Sequence, residues 1–458
     1  MDNAQRFNEL GQKPVGKLLM QYAIPAIIAT AASSLYNIID GIFIGQGVGP
    51  EAIMGLALTQ PFMSLTAAFG AMVGVGASTL MSVKLGQKDY QTAQNILGNV
   101  VVMNITMGLI LGIILLLLLD PILYFFGASE TTIPYARDFM HVILAGNLIT
   151  HLYLGLNALL RSTSRPKQAM FATICTVLIN IILAPLFIYV FKWGIRGAAL
   201  ATVMSQTLVL LWQFHLFSRE GEMIRLRRGI YRLRRKIVIE SLTIGLSPFL
   251  INLCACLVVV IINQSMVRYG GDVAVGAYGI SNRLVFLIVM IVIGLNQGMQ
   301  PIAGYNFGAK HYDRLLGVLR HALILGTVVT TAGFIAGQFL AEPCARAFTT
   351  DPELIQRAAQ GLRIVTLFFP IVGIQIVSTS FFQSIGYSGK SIFLSLTRQL
   401  LFLLPLLLTL PHLMPHFHKS QVLGVWYAIP AADAISCVVA ITMLVMQVRK
   451  FRKQLVTP

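Results

Sequence analysis

Long apolar runs, each closed by glycine, proline or charge, recur along the chain and predict transmembrane helices near 18–44, 54–82, 96–119, 135–158, 168–191 and 195–217. Six more are predicted near 238–262, 273–300, 315–340, 357–382, 391–411 and 421–447. A bilayer core about 30 Å thick takes roughly 20 helical residues per crossing, and each run meets that length. Twelve such runs use nearly the whole of a 458-residue chain. The expected fold is an all-α membrane protein with no large soluble domain.

One long polar stretch interrupts the pattern, SREGEMIRLRRGIYRLRRK from Ser218 to Lys236. It divides the chain into an N-lobe of six helices (1–217), a basic linker (218–237) and a C-lobe of six helices (238–458). The halves repeat one another in order. Gly49 to Pro61 aligns with Gly271 to Arg283, Lys84 to Tyr90 with Asn306 to Tyr312, Arg161 to Lys167 with Gln383 to Lys390, and Gly197 to Thr202 with Gly424 to Ile429. Because six is even, both halves enter the membrane from the same side, so the repeat is parallel and its pseudo-twofold axis runs along the membrane normal. Such an architecture places a cavity between two lobes. Gly76 and Gly298, and Pro25 and Pro248, recur at matching positions; small residues allow close helix crossings and prolines make hinges.

Composition agrees. The chain is 56% hydrophobic and 11% charged with a mean hydropathy of +0.76, whereas charged residues make up about a quarter of ordinary soluble proteins. A net charge of +17 raises nucleic acid as a partner. In a spanning protein, however, basic residues first report topology. Placing the N-terminus in the cytoplasm puts Lys13, Lys84, Lys88, Arg165, the linker, Lys310, Lys390 and the tail from Arg449 inside as well. The expectation is a multi-pass protein of the cell's inner (cytoplasmic) membrane with both termini cytoplasmic, a linker that meets anionic lipid headgroups, no nucleic-acid partner and function as a monomer. Five cysteines lie in or beside apolar stretches without metal-ligand spacing and read as small buried hydrophobes.

The strings YNIIDGIFIGQGVGPEAIMGLAL (Tyr36 to Leu58), PIAGYNFGAKHYDR (Pro301 to Arg314), LLRSTSRPK ending at Lys167 and GIRGAALATVMSQ (Gly194 to Gln206) resemble the multidrug and toxic compound extrusion (MATE) family, in order and over essentially the whole chain. The resemblance implies a secondary antiporter that exports cationic, amphipathic organic compounds by alternating access, driven by inward H⁺ or Na⁺, with no other cofactor.

Carboxylates inside the spans are few, and an ionisable group at that depth reads as functional by default. Asp40 lies late in the first helix, with apolar sequence continuing beyond it; the alternative is an interfacial aspartate. Asn37 precedes it by one turn, Thr176 and Asn180 share a face of the fifth helix, and Ala198, Thr202 and Ser205 share a face of the sixth. The resemblance implies an N-lobe cation site at Asp40, Asn180 and Thr202. Where some family members carry a second aspartate this chain has Ala184, and where others carry acidic residues in the C-lobe it has Asn252 and Gln375. One carboxylate among amide and hydroxyl oxygens suits H⁺ and Na⁺ alike.

Asp433 is the other deep carboxylate, expected either to pair with Arg398 and brace the C-lobe or to serve coupling or substrate. Tyr36, Phe286, Met290, Gln297 and Met299 are the expected substrate-binding side chains, since soft and aromatic groups accommodate varied ligands. Arg283, which replaces Pro61 of the first half, either snorkels to the outer headgroups or joins the cavity wall. No Walker loop and no nucleophile with an evident base is present, so an enzyme is not expected. The rival reading is a lipid-linked oligosaccharide flippase of the same superfamily, which needs several basic residues to hold pyrophosphate.

Overall fold

The computed structural model describes residues 3–456, and among these it is helical with no strand. Its helices are α1 (Asn3–Gln12), α2 (Val15–Gly47), α3 (Pro50–Gly86), α4 (Tyr90–Leu117), α5 (Leu119–Phe125), α6 (Ile133–Ala145), α7 (Asn147–Ser162), α8 (Pro166–Pro185) and α9 (Gly194–Ser218). After the linker come α10 (Arg235–Gly308), α11 (Tyr312–Phe339), α12 (Ala341–Arg346), α13 (Pro352–Val365), α14 (Phe369–Ser384), α15 (Ser388–Leu396), α16 (Leu404–Leu413) and α17 (Gln421–Val456).

Nine helical stretches among the described residues are long and apolar enough to cross a membrane. One of them, α10, runs 74 residues but breaks at Gly271, so it supplies two crossings. Two bent pairs, α6 with α7 at 57° and α13 with α14 at 58°, supply one each. Nine, plus one for the break in α10, plus two for the bent pairs, gives twelve.

Three departures from regular helix in the first half recur 222 residues later in the second. Gly49 and Gly271 both have positive φ, 126° and 68°; so do Lys88 and Lys310, at 59° and 58°, and Ser164 and Gly386, at 63° and 78°. The left-handed region is open to glycine and costly for most other residues, so these repeated positions mark the ends of the same helices in both halves. The fifth and eleventh predicted spans each contain a π-helical turn, Leu186–Val190 following Pro185 and Thr397–Leu403 preceding Pro405. Proline supplies no N–H to the ladder, and a locally wider turn is one way to absorb the loss.

Two compact units organise the chain. The first is built mainly from Ile24–Phe249 with Gly304–Lys310; its core gathers Ile44, Phe62, Leu123, Phe139 and Met140, with α3 and α4 packed on α7 and α8 on α9. The second is built from Leu250–Ala303 and the chain from His311 onward, joined by Pro14–Ala23. Its core gathers Val258, Met266, Phe369 and Trp426, with α11 on α14 and α16 on α17. Leu117, Phe125, Ile182, Phe339 and Val438 stand exposed. That arrangement suits a lipid-facing surface, where backbone groups must be satisfied inside the helices and apolar side chains face outward. The five cysteines are free; Cys254 and Cys437 are buried as expected of small hydrophobes, whereas Cys175 is exposed.

The linker is held by buried amides of α4. Asn99 accepts from the Arg234 N–H at 2.8 Å and donates to the Arg232 carbonyl at 3.1 Å, and Gln94 accepts from the Arg225 N–H at 3.1 Å. Glu222 ties it further to Arg165 at 2.6 Å and to Arg6 at 3.4 Å. Arg227, Arg228, Arg232, Arg235 and Lys236 remain exposed.

Within the first unit, α3 and the start of α10 touch through glycines: a methyl on Gly245 would overlap the Met72 carbonyl, and one on Gly76 the Ser241 carbonyl. Gly41 has nothing within 4 Å of such a methyl. Gly245→Val is therefore expected to cost about 1–3 kcal/mol or more through overpacking and to lower the melting temperature in detergent, whereas Gly41→Ala leaves it unchanged or raises it.

Candidate functional site

Asp40 lies about two turns from the end of α2, in a helix that is otherwise apolar from Ile24 onward except for small hydroxyls, Tyr36, Asn37 and Gln46. It is buried at 6% exposure, and its Oδ1 accepts no hydrogen bond among the described residues. One turn earlier on the same helix, Tyr36 places its hydroxyl 2.6 Å from Thr202 Oγ1. Asn180 Nδ2 donates to the same oxygen at 3.1 Å, and that oxygen lies 3.3 Å from the Ala198 carbonyl. A hydroxyl has one proton and two lone pairs. The Thr202 proton can go either to the Ala198 carbonyl or to the Tyr36 oxygen, because either hydroxyl can donate in that pair.

Local sequence explains how three helices converge here. Gly197 lets the start of α9 approach the Phe187 backbone, where a side chain would sit 3.0 Å from the Phe187 carbonyl oxygen. The π turn after Pro185 presents Phe187 and Phe191, which pack on Trp193 with ring centroids 5.1 and 5.0 Å apart. This aromatic knot closes the junction of α8 and α9, two turns from Asn180 and Thr202. Ala184 is fully buried, so the position offers neither charge nor oxygen ligand from its side chain.

Of the expected cation group, Asp40, Asn180 and Thr202 are all buried in the first unit, and Thr202 links Asn180 to Tyr36. Thr176 sits one turn from Asn180 and bonds back to the Ala172 carbonyl at 2.9 Å. Asn37 departs from the expectation: it is exposed and takes no part in these hydrogen bonds. Adjacent residues on a helix are about 100° apart, so Tyr36 and Asn37 face different surroundings.

The expected substrate side chains are divided. Tyr36 belongs to the first unit and is engaged with Thr202. Phe286, Met290, Gln297 and Met299 lie on α10 in the second; Phe286 is exposed, Met290 and Gln297 are partly buried. Met299 is fully buried and presents no surface to a ligand in this structure, a correction to its expected role, because the glycine-spaced helix around it packs closely. Arg283 is exposed.

Arg398 and Asp433 meet inside the second unit. The Arg398 Nε donates to Asp433 Oδ1 at 2.6 Å, with the aspartate side chain 2% and the arginine 31% exposed. The π turn Thr397–Leu403 carries the arginine, and with Tyr278, Asn282, Gln399 and Phe369 the pair lines a cavity of about 190 Å³.

Several polar side chains were not singled out from sequence: the α4 amides that hold the linker, and Tyr153 and Asn157 on α7, both buried. The available signal was polar residues at one-turn spacing on apolar helices, as at Asn95 and Asn99, or at Tyr153, Asn157 and Arg161.

The MatE family model matches twice, over residues 25–186 and 248–408, once in each half of the chain. The chain belongs to the MATE family. It is thus a membrane transporter rather than an enzyme. Among curated relatives of this MATE protein, the multidrug export protein MepA of Staphylococcus aureus (strain MSSA476) is 27% identical over 375 residues, covering 82% of this chain and 83% of the relative. MepA of Staphylococcus haemolyticus (strain JCSC1435) is 28% identical over 378 residues, 82% of each. Among solved structures, a MATE in the bent conformation superposes with a TM-score of 0.91 at 23% identity over 100% of both chains. An outward-facing multidrug resistance MATE family transporter of the MOP superfamily superposes with a TM-score of 0.90 at 22% identity over 99% of both. At those identities the likeness establishes the two-lobe fold.

Removing one partner of a buried ion pair typically costs about 3–5 kcal/mol, because it strands the other charge. Arg398→Gln is expected to destabilise this MATE protein by about that amount in detergent unfolding, and Arg398→Met combined with Asp433→Leu to recover much of the loss. If Asp433→Asn abolishes transport while Arg398→Gln leaves it intact, the pair is not a structural brace.

Proposed function

We propose that this MATE transporter is a secondary antiporter that exports cationic, amphipathic organic compounds in exchange for H⁺ or Na⁺, with Asp40 as the carboxylate that binds the coupling ion. The observation that carries the reading is the burial of Asp40 in the first unit with Oδ1 unpartnered among the described residues, close to the Tyr36, Thr202 and Asn180 cluster. A buried carboxylate without a cationic partner gains stability when a cation or proton arrives, so its occupancy depends on the ion gradient. The relatives named for multidrug export support the export direction and a broad substrate range.

Coupling requires that ion and substrate favour different conformations. Ion binding from outside at Asp40 reshapes the α2, α8 and α9 contacts and weakens retention of the organic cation; the drug leaves, and the loaded carrier returns inward. Asn180, Thr202 and Tyr36 position the carboxylate, and Phe286, Met290 and Gln297 contribute soft contacts to the substrate. The oligosaccharide flippase reading is disfavoured because a pyrophosphate site calls for several uncommitted cations, and Arg398 is already paired with Asp433. The transporter works as a monomer in the cytoplasmic membrane with both termini inside, its exposed linker arginines against anionic headgroups.

The test is efflux of a fluorescent organic cation from vesicles with pH and sodium gradients imposed separately. Asp40→Asn is expected to fold and to lose gradient-driven efflux by about tenfold or more, within the range of typical coupling energies. Wild-type driven efflux by that variant would remove Asp40 from the coupling role.

A further inference from the structure

Gly271 breaks α10 into two arms, and one face of each arm lines the cavity of about 190 Å³ inside the second unit. Val258 and Ile262 come from the first arm, and Tyr278, Asn282, Val285 and Val289 from the second, three or four residues apart as one helical face requires. Phe369 and Val372 of α14 extend the apolar wall. At one end the wall gives way to polar groups, where Arg398, Gln399 and Asp433 join Tyr278 and Asn282. The π turn Thr397–Leu403 carries two of them. A π turn holds more residues than an α turn, so neighbouring side chains stand closer in angle, and Arg398 and Gln399 both line the cavity.

This polar end is neutral in sum and incompletely bonded. Arg398 and Asp433 are the charged residues of the lining, one of each sign, and a single hydrogen bond joins them, from Arg398 Nε to Asp433 Oδ1 at 2.6 Å. Among the described residues, the arginine's two Nη groups and the aspartate's second oxygen make no hydrogen bond to protein, and neither do the side chains of Tyr278, Asn282 and Gln399. The end is also reachable: Asn282 is exposed, and the Arg398 side chain is 31% exposed.

We propose that this cavity binds a small uncharged amphiphile, an apolar body of one or two rings carrying a carboxamide-like head that both accepts and donates hydrogen bonds. The carbonyl oxygen of the head accepts from Arg398 Nη, and its N–H donates to the free Asp433 oxygen or to Gln399 Oε1; the Tyr278 hydroxyl serves as either partner. The body lies along Val258, Ile262, Val289 and Val372. Volume sets the size, since sites for drug-sized ligands span about 300–1,000 Å³. The site is separate from Asp40 and does not depend on how the ion is coupled.

Charge decides against the alternatives. Asp433 already neutralises Arg398, so an anionic head adds an uncompensated negative charge, and a cationic head adds an uncompensated positive one beside the guanidinium. Either ion sits among valine, isoleucine and phenylalanine side chains, where unpaired charge costs far more than a hydrogen-bonded neutral group. The second unit thus selects compounds that an organic-cation substrate range does not include.

The test measures equilibrium binding of three probes built on one ring system, naphthamide, naphthoate and naphthylmethylammonium. The full-length protein is held in nanodiscs, and empty nanodiscs correct for partition into lipid. Naphthamide is expected to saturate one site per chain and to bind at least about tenfold more tightly than either ion. Tyr278→Phe combined with Gln399→Met removes two head contacts at nearly constant volume and leaves the ion pair in place; naphthamide affinity is expected to fall about tenfold. Val289→Phe fills part of the cavity from the apolar side and is expected to weaken naphthamide by about tenfold or more. Absence of saturable naphthamide binding to the wild type, an ion bound as tightly as the amide, or wild-type naphthamide affinity in either variant would each overturn the proposal.

Discussion

A bilayer offers no water to a stray backbone or side-chain polar group, and most of this structure follows from that constraint. Helices are obligatory, so each departure from them needs a local cause. The departures are proline-linked π turns, glycines at positive φ and bends at Gly146 and around Pro370. That the positive-φ breaks at 49/271, 88/310 and 164/386 and the bends near Gly146 and Phe368 recur at equivalent residues of two halves argues that the repeat was retained as a set of breaks as much as a set of helices. Breaks are where packed helices change direction, and in a carrier those are the places that rearrange.

The same constraint sorts the two buried carboxylates. Asp433 carries its neutralising partner with it, since Arg398 meets it at 2.6 Å. Its charge is satisfied by the fold in every condition that keeps the arginine in place. Asp40 has no cation in an ion pair with it among the described residues, and in the cluster one turn away the Thr202 hydroxyl bonds Tyr36 and Asn180. A charge that the fold satisfies contributes structure; one that it leaves incomplete responds to what arrives from solution. Among the described residues, then, the deep carboxylate of the second half has a cationic partner and that of the first does not.

The linker shows how a polar segment is managed at the membrane edge. Its backbone is held by Gln94 and Asn99 and its Glu222 pairs with Arg165 and Arg6, while most of its arginine side chains stay exposed. Holding the backbone takes few side chains and leaves most of the linker arginines exposed. A connection between two six-helix halves that was merely flexible would not need the buried amides Gln94 and Asn99 of α4.

Hydrophobic run length, charge bias and internal repetition are properties of the chain, so the all-helical class, the twelve crossings and the deep charged residues Asp40, Arg398 and Asp433 were legible without coordinates, while Asn180 and Thr202 were singled out as site residues by the family resemblance. Helical period was enough to place Thr176 with Asn180 on one face. What period cannot decide is which neighbour fills the space opposite that face. Only packing in three dimensions turned Asn37 outward while Tyr36 reached Thr202, buried Met299 out of reach, drew Asn99 to the linker and lined Tyr153 against Thr176 and Asn157. Side chains far apart in sequence meet through the crossing of whole helices. The sequence states each helix's own pattern, but the crossing depends on where glycines allow backbones to touch and where prolines turn them.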